Sequence, residues 1–275
     1  MNVISNELGN KLIYENLLNE NKIFIGRMGI TELQIMFHYI NKIPIPNYLK
    51  NLLINNAGVY GDCFKNFCEE YLESINKADA QVYWNIPNLI EYQNNIFENH
   101  LKNIELIDNR SVEPFYFDEP WSFALKNKKV LVVHPFIDSI KSQYLQKELL
   151  FDNKKILPNF ELITYKSVQS IGGQGPHKSW IESLDFMKND ISNLDFDVAI
   201  LGCGAYGMPL GSFIKHNLNK TCVYIGGGLQ LLFGIKGNRW DNHEFISKLY
   251  NSYWVRPNKN EIPLNYKSVE DGCYW

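Results

Sequence analysis

The run Asp197-Val-Ala-Ile-Leu-Gly-Cys-Gly-Ala-Tyr-Gly-Met-Pro-Leu210 constrains this chain more than any other segment. Its apolar start reads as a strand buried on both faces. Its middle is a glycine turn with the spacing Gly202-x-Gly204-x-x-Gly207, and its end reads as the start of a helix. A strand buried on both faces needs helices above and below it, which is the arrangement of a parallel sheet. Comparable runs recur: Lys129-Val-Leu-Val-Val-His-Pro135, Phe160 to Val168, and Cys222 to Ile225 read as further strands. Helices are expected between them, from Ile137 to Phe151, around Trp180 to Ile191, and from Gly207 to His216.

The first part of the chain has a different texture. Residues 5–20 have the pattern of a short amphipathic helix, and Lys22-Ile-Phe-Ile-Gly26 that of a buried strand. Arg27-Met-Gly29 is a turn, and Thr31 and Glu32 open a helix that Pro44 and Pro46 bring to an end. Residues 47–110 read as mostly helical, with a short strand at Asp79-Ala-Gln-Val-Tyr-Trp84. The expected fold is α/β: a Rossmann-like αβα sandwich with a mostly parallel sheet and a helix-rich N-terminal part. We expect one domain over residues 1–275, with a soft boundary near 110–120.

Composition bounds the function. Apolar residues make up 45% and charged residues 21% of 275, enough for a full core. The net charge of −3 without a basic run argues against a nucleic-acid partner. Five cysteines without a CxxC pair fit reduced thiols in the cytoplasm. The N-terminus lacks the basic and apolar regions of a signal peptide, and no apolar run approaches the roughly 20 residues of a membrane span. The aromatic C-terminus, Gly272-Cys-Tyr-Trp275, either folds back or meets a partner subunit, which leaves a homo-oligomer open.

In open parallel sheets the carboxyl ends of the strands form the ligand crevice. Here they carry glycines and polar groups. The turn Gly202, Gly204, Tyr206 and Gly207 reads two ways: as a tight turn whose glycines permit close packing, or as backbone N–H groups presented to a phosphate. A dinucleotide site would want an acid at the end of the next strand. That strand ends instead in Gly226-Gly227-Gly228, so NAD is not expected. Gln230, Lys236 and Arg239 follow, with Trp240 as a stacking surface or a core residue. Ser139, Gln169, Ser170 and His177 end the other strands or lie just beyond them, while His134 reads as a satisfied core histidine. Arg27, Gly29 and Glu32 form a second strand–glycine–helix junction. Glu32 there is helix-stabilising at the least, and Arg27 is a cation in search of an anion.

The pattern Arg27-Met-Gly29-x-x-Glu32, followed late in the chain by Asp197-Val-Ala-Ile-Leu-Gly-Cys-Gly-Ala-Tyr-Gly and Tyr224-Ile-Gly-Gly, resembles the GT-D-fold glycosyltransferases. These bacterial enzymes build surface glycans and protein-linked glycans from nucleotide sugars. The resemblance implies a nucleotide-sugar donor and a glycan or lipid-linked acceptor. It also implies Glu32 as general base or as ligand of Mn²⁺ or Mg²⁺. Ile30 stands where the family has the Asp of its Asp-x-Glu pair, so a metal site would need another acid, such as Asp62 or Asp241. Without one, Arg27, Lys236 and Arg239 would neutralise the leaving diphosphate.

Overall fold

A computed structural model describes residues 2–101 and 104–275. Its strands are β1 (Val3–Ile4), β2 (Phe24–Gly26), β3 (Ala80–Tyr83), β4 (Glu105–Asp108), β5 (Lys129–His134), β6 (Glu161–Lys166), β7 (Val198–Leu201) and β8 (Thr221–Tyr224). The helices are α1 (Asn6–Leu18), α2 (Ile30–Ile40), α3 (Asn47–Asn55), α4 (Phe64–Asn76), α5 (Pro87–Asn99), α6 (Ile137–Leu145), α7 (Trp180–Ser192), α8 (Gly207–His216), α9 (Gly228–Leu232) and α10 (Ile246–Leu249). All strand pairs are parallel and form one sheet in the order β1-β4-β3-β2-β8-β7-β5-β6.

The α/β sandwich is as expected, and handedness explains its two faces. A right-twisted strand feeding a helix returns to a parallel neighbour almost only by a right-handed crossover, so the direction of travel decides the face. The connections β2 to β3, β3 to β4, β6 to β7 and β7 to β8 all run the same way along the sheet. Their helices share one core, with Leu33, Tyr71, Ile96, Leu184 and Leu210. The connections β1 to β2, β4 to β5 and β5 to β6 run the other way, and they bury Ile13, Trp121 and Ile140 in a second core on the opposite face. The strands feed both cores by strict alternation: Leu131 and Val133 enter the first, Val130 and Val132 the second.

Two strands lie where the sequence pattern reads otherwise. β4 occupies a stretch expected to be helical. At four residues, with only Leu106 and Ile107 buried, it is too short to display an alternation, and Leu101 and Ile104 mimic a helical spacing just before it. β1 is shorter still. α6 stops at Leu145, earlier than the expected Phe151. Leu145 and Leu149 point to solvent, and a 3-10 turn over Lys147–Leu149 finishes the segment before Leu150 and Phe151 become buried. No helix among the described residues is long and apolar enough to cross a membrane.

α8 lies against β2 through Gly211. A β-carbon there would run into the ring of Phe24, which is fully buried. Helix propensity alone favours alanine over glycine by about 0.5–1 kcal/mol. Overpacking costs about 1–3 kcal/mol and wins. Gly211→Ala is therefore expected to destabilise the protein in urea unfolding, and a stabilised variant would contradict this packing.

Candidate functional site

β8 sends its chain to one face of the sheet, into α9, while its neighbours β2 and β7 send theirs to the other. The chain therefore parts at these strand ends and leaves a crevice. A cleft of about 210 Å³ occupies it. Its lining comes from the ends of β2, β3, β5, β6, β7 and β8, from the end of α3, and from the C-terminal residues Val269, Glu270, Tyr274 and Trp275.

Arg27 follows the last residue of β2. Its guanidinium carbon stands 4.3 Å from the centre of the Trp84 ring, a cation–π stack. Trp84 is a fixed platform. Its indole N–H donates to the carbonyl of Met28 at 2.9 Å, its backbone N–H donates to Gln93 Oε1 at 2.7 Å, and its carbonyl accepts from Gln93 Nε2 at 3.0 Å. Gly226, with φ +71°, gives the guanidinium its space, since a β-carbon there would meet Arg27 Nη1. No carboxylate forms an ion pair with Arg27 among the described residues. A half-buried cation in a cleft without such a partner is a place for an anion.

Glu32 sits in the first turn of α2, buried and lining the same cleft. Its carboxylate folds back over Gly29, where any side chain would collide with it. Burial raises its pKa above the ordinary carboxylate value, while its own backbone N–H and Arg27 pull the other way. Glu32 and Glu270 are the carboxylates that line the cleft among the described residues, and Glu270 is held by Arg239. Asp62 and Asp241 do not line it, and Asp241 pairs with Arg256 at 2.5 Å. No group of three or more His, Cys, Asp or Glu side chains converges among the described residues. A single remaining carboxylate does not fit a hard divalent cation, which takes several oxygen ligands.

The glycines of the β7 turn divide their roles. A β-carbon on Gly202 would lie 2.7 Å from His134 Cδ2 and 2.9 Å from the Gly226 carbonyl oxygen, and one on Gly207 would enter the ring of Tyr224. These two are packing glycines. Gly204 has φ +57° and open space where a β-carbon would point, so there the backbone conformation asks for glycine. The Tyr224 hydroxyl donates to the Gly204 carbonyl at 2.7 Å and ties the turn to β8. Tyr206 lines the cleft but stacks on Trp180 at 4.9 Å, and its hydroxyl is bonded to Ser170 Oγ.

The structure brings Arg27, Gly29, Glu32, Gln169, Gly202, Gly204, Tyr206, Gly226, Gly227, Gln230 and Arg239 to one cleft. Besides Tyr206, two of these side chains are already engaged. The Gln230 amide N–H group donates to the carbonyls of Ile235, Lys236 and Tyr274, and Arg239 is bound by Glu270 and by the Tyr274 hydroxyl at 3.2 Å. Four expected residues lie elsewhere. Ser139 donates to the buried Glu261, which also accepts the N–H groups of Asp138 and Ser139 and so caps α6 from within the protein. His177 shares a hydrogen bond with Ser183 at 2.9 Å, Lys236 lies over the Tyr250 ring, and Gly207 packs inside α8.

Trp84, Ser167, Tyr274 and Trp275 also line the cleft, beyond the expected ligand residues. For Trp84 the signal is its place just past a short strand. The C-terminal aromatics do fold back: Trp275 is buried, meets Phe136 edge-on at 6.0 Å, and donates its indole N–H to the Glu261 carbonyl. His134 is buried as expected but faces the cleft.

Glu113 is half-buried beside Arg27 and Gly228. Burial pushes its pKa up to about 7, against the opposing pull of Arg27 and Arg110. A carboxyl whose folded pKa is raised contributes full stability below its unfolded value near 4.5 and loses it as pH rises through about 7. Glu113→Gln is therefore expected to gain melting temperature relative to the natural protein between pH 5 and pH 8. Thermal unfolding at both pH values checks this, and an unchanged or reversed difference would contradict it.

No protein-family model, no curated protein and no solved structure matches this chain, so its function is read from the cleft itself.

Proposed function

We propose that the chain is a glycosyltransferase of bacterial surface-polysaccharide or glycoprotein synthesis. It moves a sugar from a nucleotide-diphosphate donor to a glycan or lipid-linked acceptor. The observation that carries this reading is Arg27, stacked on Trp84 and free of an ion pair among the described residues, at a strand end flanked by Gly226. A guanidinium fork suits a diphosphate, which it meets with two parallel hydrogen bonds. The flanking aromatic rings of Trp84 and Tyr274 suit a base or sugar face.

In this reading the acceptor hydroxyl attacks the anomeric carbon of the donor. The bond from that carbon to the diphosphate oxygen breaks, and the diphosphate leaves with the bonding electron pair. Arg27 stabilises the charge that develops on it, joined by Arg239 once the ligand competes with Glu270. Glu32 takes the proton of the attacking hydroxyl. Its burial raises its basicity, which favours that role. Arg27 beside it pulls the other way and favours the ionised form.

A second reading is a non-catalytic sugar-nucleotide-binding or glycan-binding protein, favoured by Ile30 in the place of the second acid. The two part at turnover. As a transferase, the protein hydrolyses or transfers at least one donor from a panel of nucleotide sugars, with or without Mn²⁺. Glu32→Gln then keeps donor affinity and loses turnover. As a binding protein, it holds the ligand and turns nothing over.

Under either reading Arg27→Ala is expected to weaken nucleoside-diphosphate binding by about tenfold to a hundredfold, the worth of a charge-assisted hydrogen bond. Calorimetric titration measures it. No saturable binding of any nucleotide sugar or nucleoside diphosphate by the natural protein would sink the proposal.

A further inference from the structure

The charges of the cleft are gathered at one end. Arg27, Glu32, Arg239 and Glu270 belong to β2, α2 and the C-terminal segments, whereas the ends of β5 and β6 contribute His134, Pro135, Phe136, Ser167, Val168 and Gln169, none of them an acid or a permanent cation. Two of these neutral residues have open hydrogen-bonding positions. His134 is 3% exposed and Ser167 is 4% exposed. His134 ends β5 and Ser167 follows the neighbouring β6, and the Ser167 N–H donates to the His134 carbonyl at 3.3 Å.

The His134 ring is set by its own turn. Its Nδ1 accepts the Phe136 N–H at 2.9 Å, which leaves the ring proton on Nε2. Burial drives its pKa down to about 3, so the ring stays neutral in ordinary buffers and keeps that proton as a donor. Among the described residues nothing accepts from Nε2, and the Ser167 hydroxyl has no hydrogen-bond partner. The Ser167 hydroxyl is a buried polar group left unmade, which is destabilising, and it lines the same cleft as the His134 ring, so the cleft has a use for it.

We infer that the β5–β6 end of the cleft is a distinct subsite for an uncharged, hydroxyl-bearing group, held by the Nε2–H of His134 and the hydroxyl of Ser167. The inference rests on the proposed sugar-nucleotide reading and deepens it. The diphosphate lies at Arg27, the sugar lies at His134 and Ser167, and the two residues determine specificity for the sugar. An acidic sugar would find no cation at this end, so neutral hexoses and N-acetylhexosamines are the substrate class it fits.

The test is titration of matched probes: UDP with UDP-glucose and UDP-N-acetylglucosamine, dTDP with dTDP-glucose, and GDP with GDP-mannose. The natural protein is expected to bind at least one sugar nucleotide more tightly than its parent diphosphate. Ser167→Ala, a change of one oxygen, should cost that sugar nucleotide about fivefold and leave the diphosphate unchanged. His134→Gln, which keeps a donor near the Nε2 position, should retain more of the affinity than His134→Phe. Equal binding of each diphosphate and its sugar nucleotides, with Ser167→Ala moving both alike or neither, overturns the subsite and leaves the anion site standing. Binding of no probe overturns both.

Discussion

The pairing of β2 with β8 is the constraint on which the site depends. Phe24 lies beside Cys222 and Ile25 beside Val223, which brings residues about two hundred positions apart together at the middle of the sheet. That register sets Arg27 next to Gly226, and the glycine leaves room for the guanidinium. It also places α2 and α8 on the same face, where Phe24 and Gly211 interlock. A one-residue slip would turn Phe24 into the wrong core and remove the arginine from the cleft.

Around that join, burial sorts the polar groups into those that are spent and those that are available. Glu261, Gln230 and Tyr206 are spent, since each satisfies backbone or side-chain groups that would otherwise be orphaned. Arg27, Glu32, His134 and Ser167 remain. The first two carry charge at the β2 end, and the last two are neutral at the β5–β6 end. Arg239 lies between these classes, already bound to Glu270 but at the surface of the cleft, where a stronger anion competes for it.

Much of the fold was legible in the sequence because long strands buried on both faces announce themselves. β5 is a continuous β-branched run, and the β7 turn displays its glycines. β1 and β4 were not legible, since two and four residues cannot show a period. The glycine spacing at Gly202 resembles a phosphate fingerprint, yet contact with His134 and Tyr224 explains two of its three positions. Packing and ligand binding leave the same letter there, and only coordinates separate them. Ser139 and Lys236 misled because strand-end position says nothing of the partner a side chain finds: Glu261 for one, the Tyr250 ring for the other. The unpaired state of Arg27 and the platform of Trp84 depend on contacts between β2 and β3, which no local pattern encodes.

The most direct test of the account is a crystal structure of the protein soaked with a nucleoside diphosphate such as UDP. The diphosphate is expected within hydrogen-bond distance of the Arg27 guanidinium, at the carboxyl ends of β2 and β8. A diphosphate seated instead at the opposite edge of the sheet, where Lys22, Lys126 and Lys128 line a second depression, would contradict it.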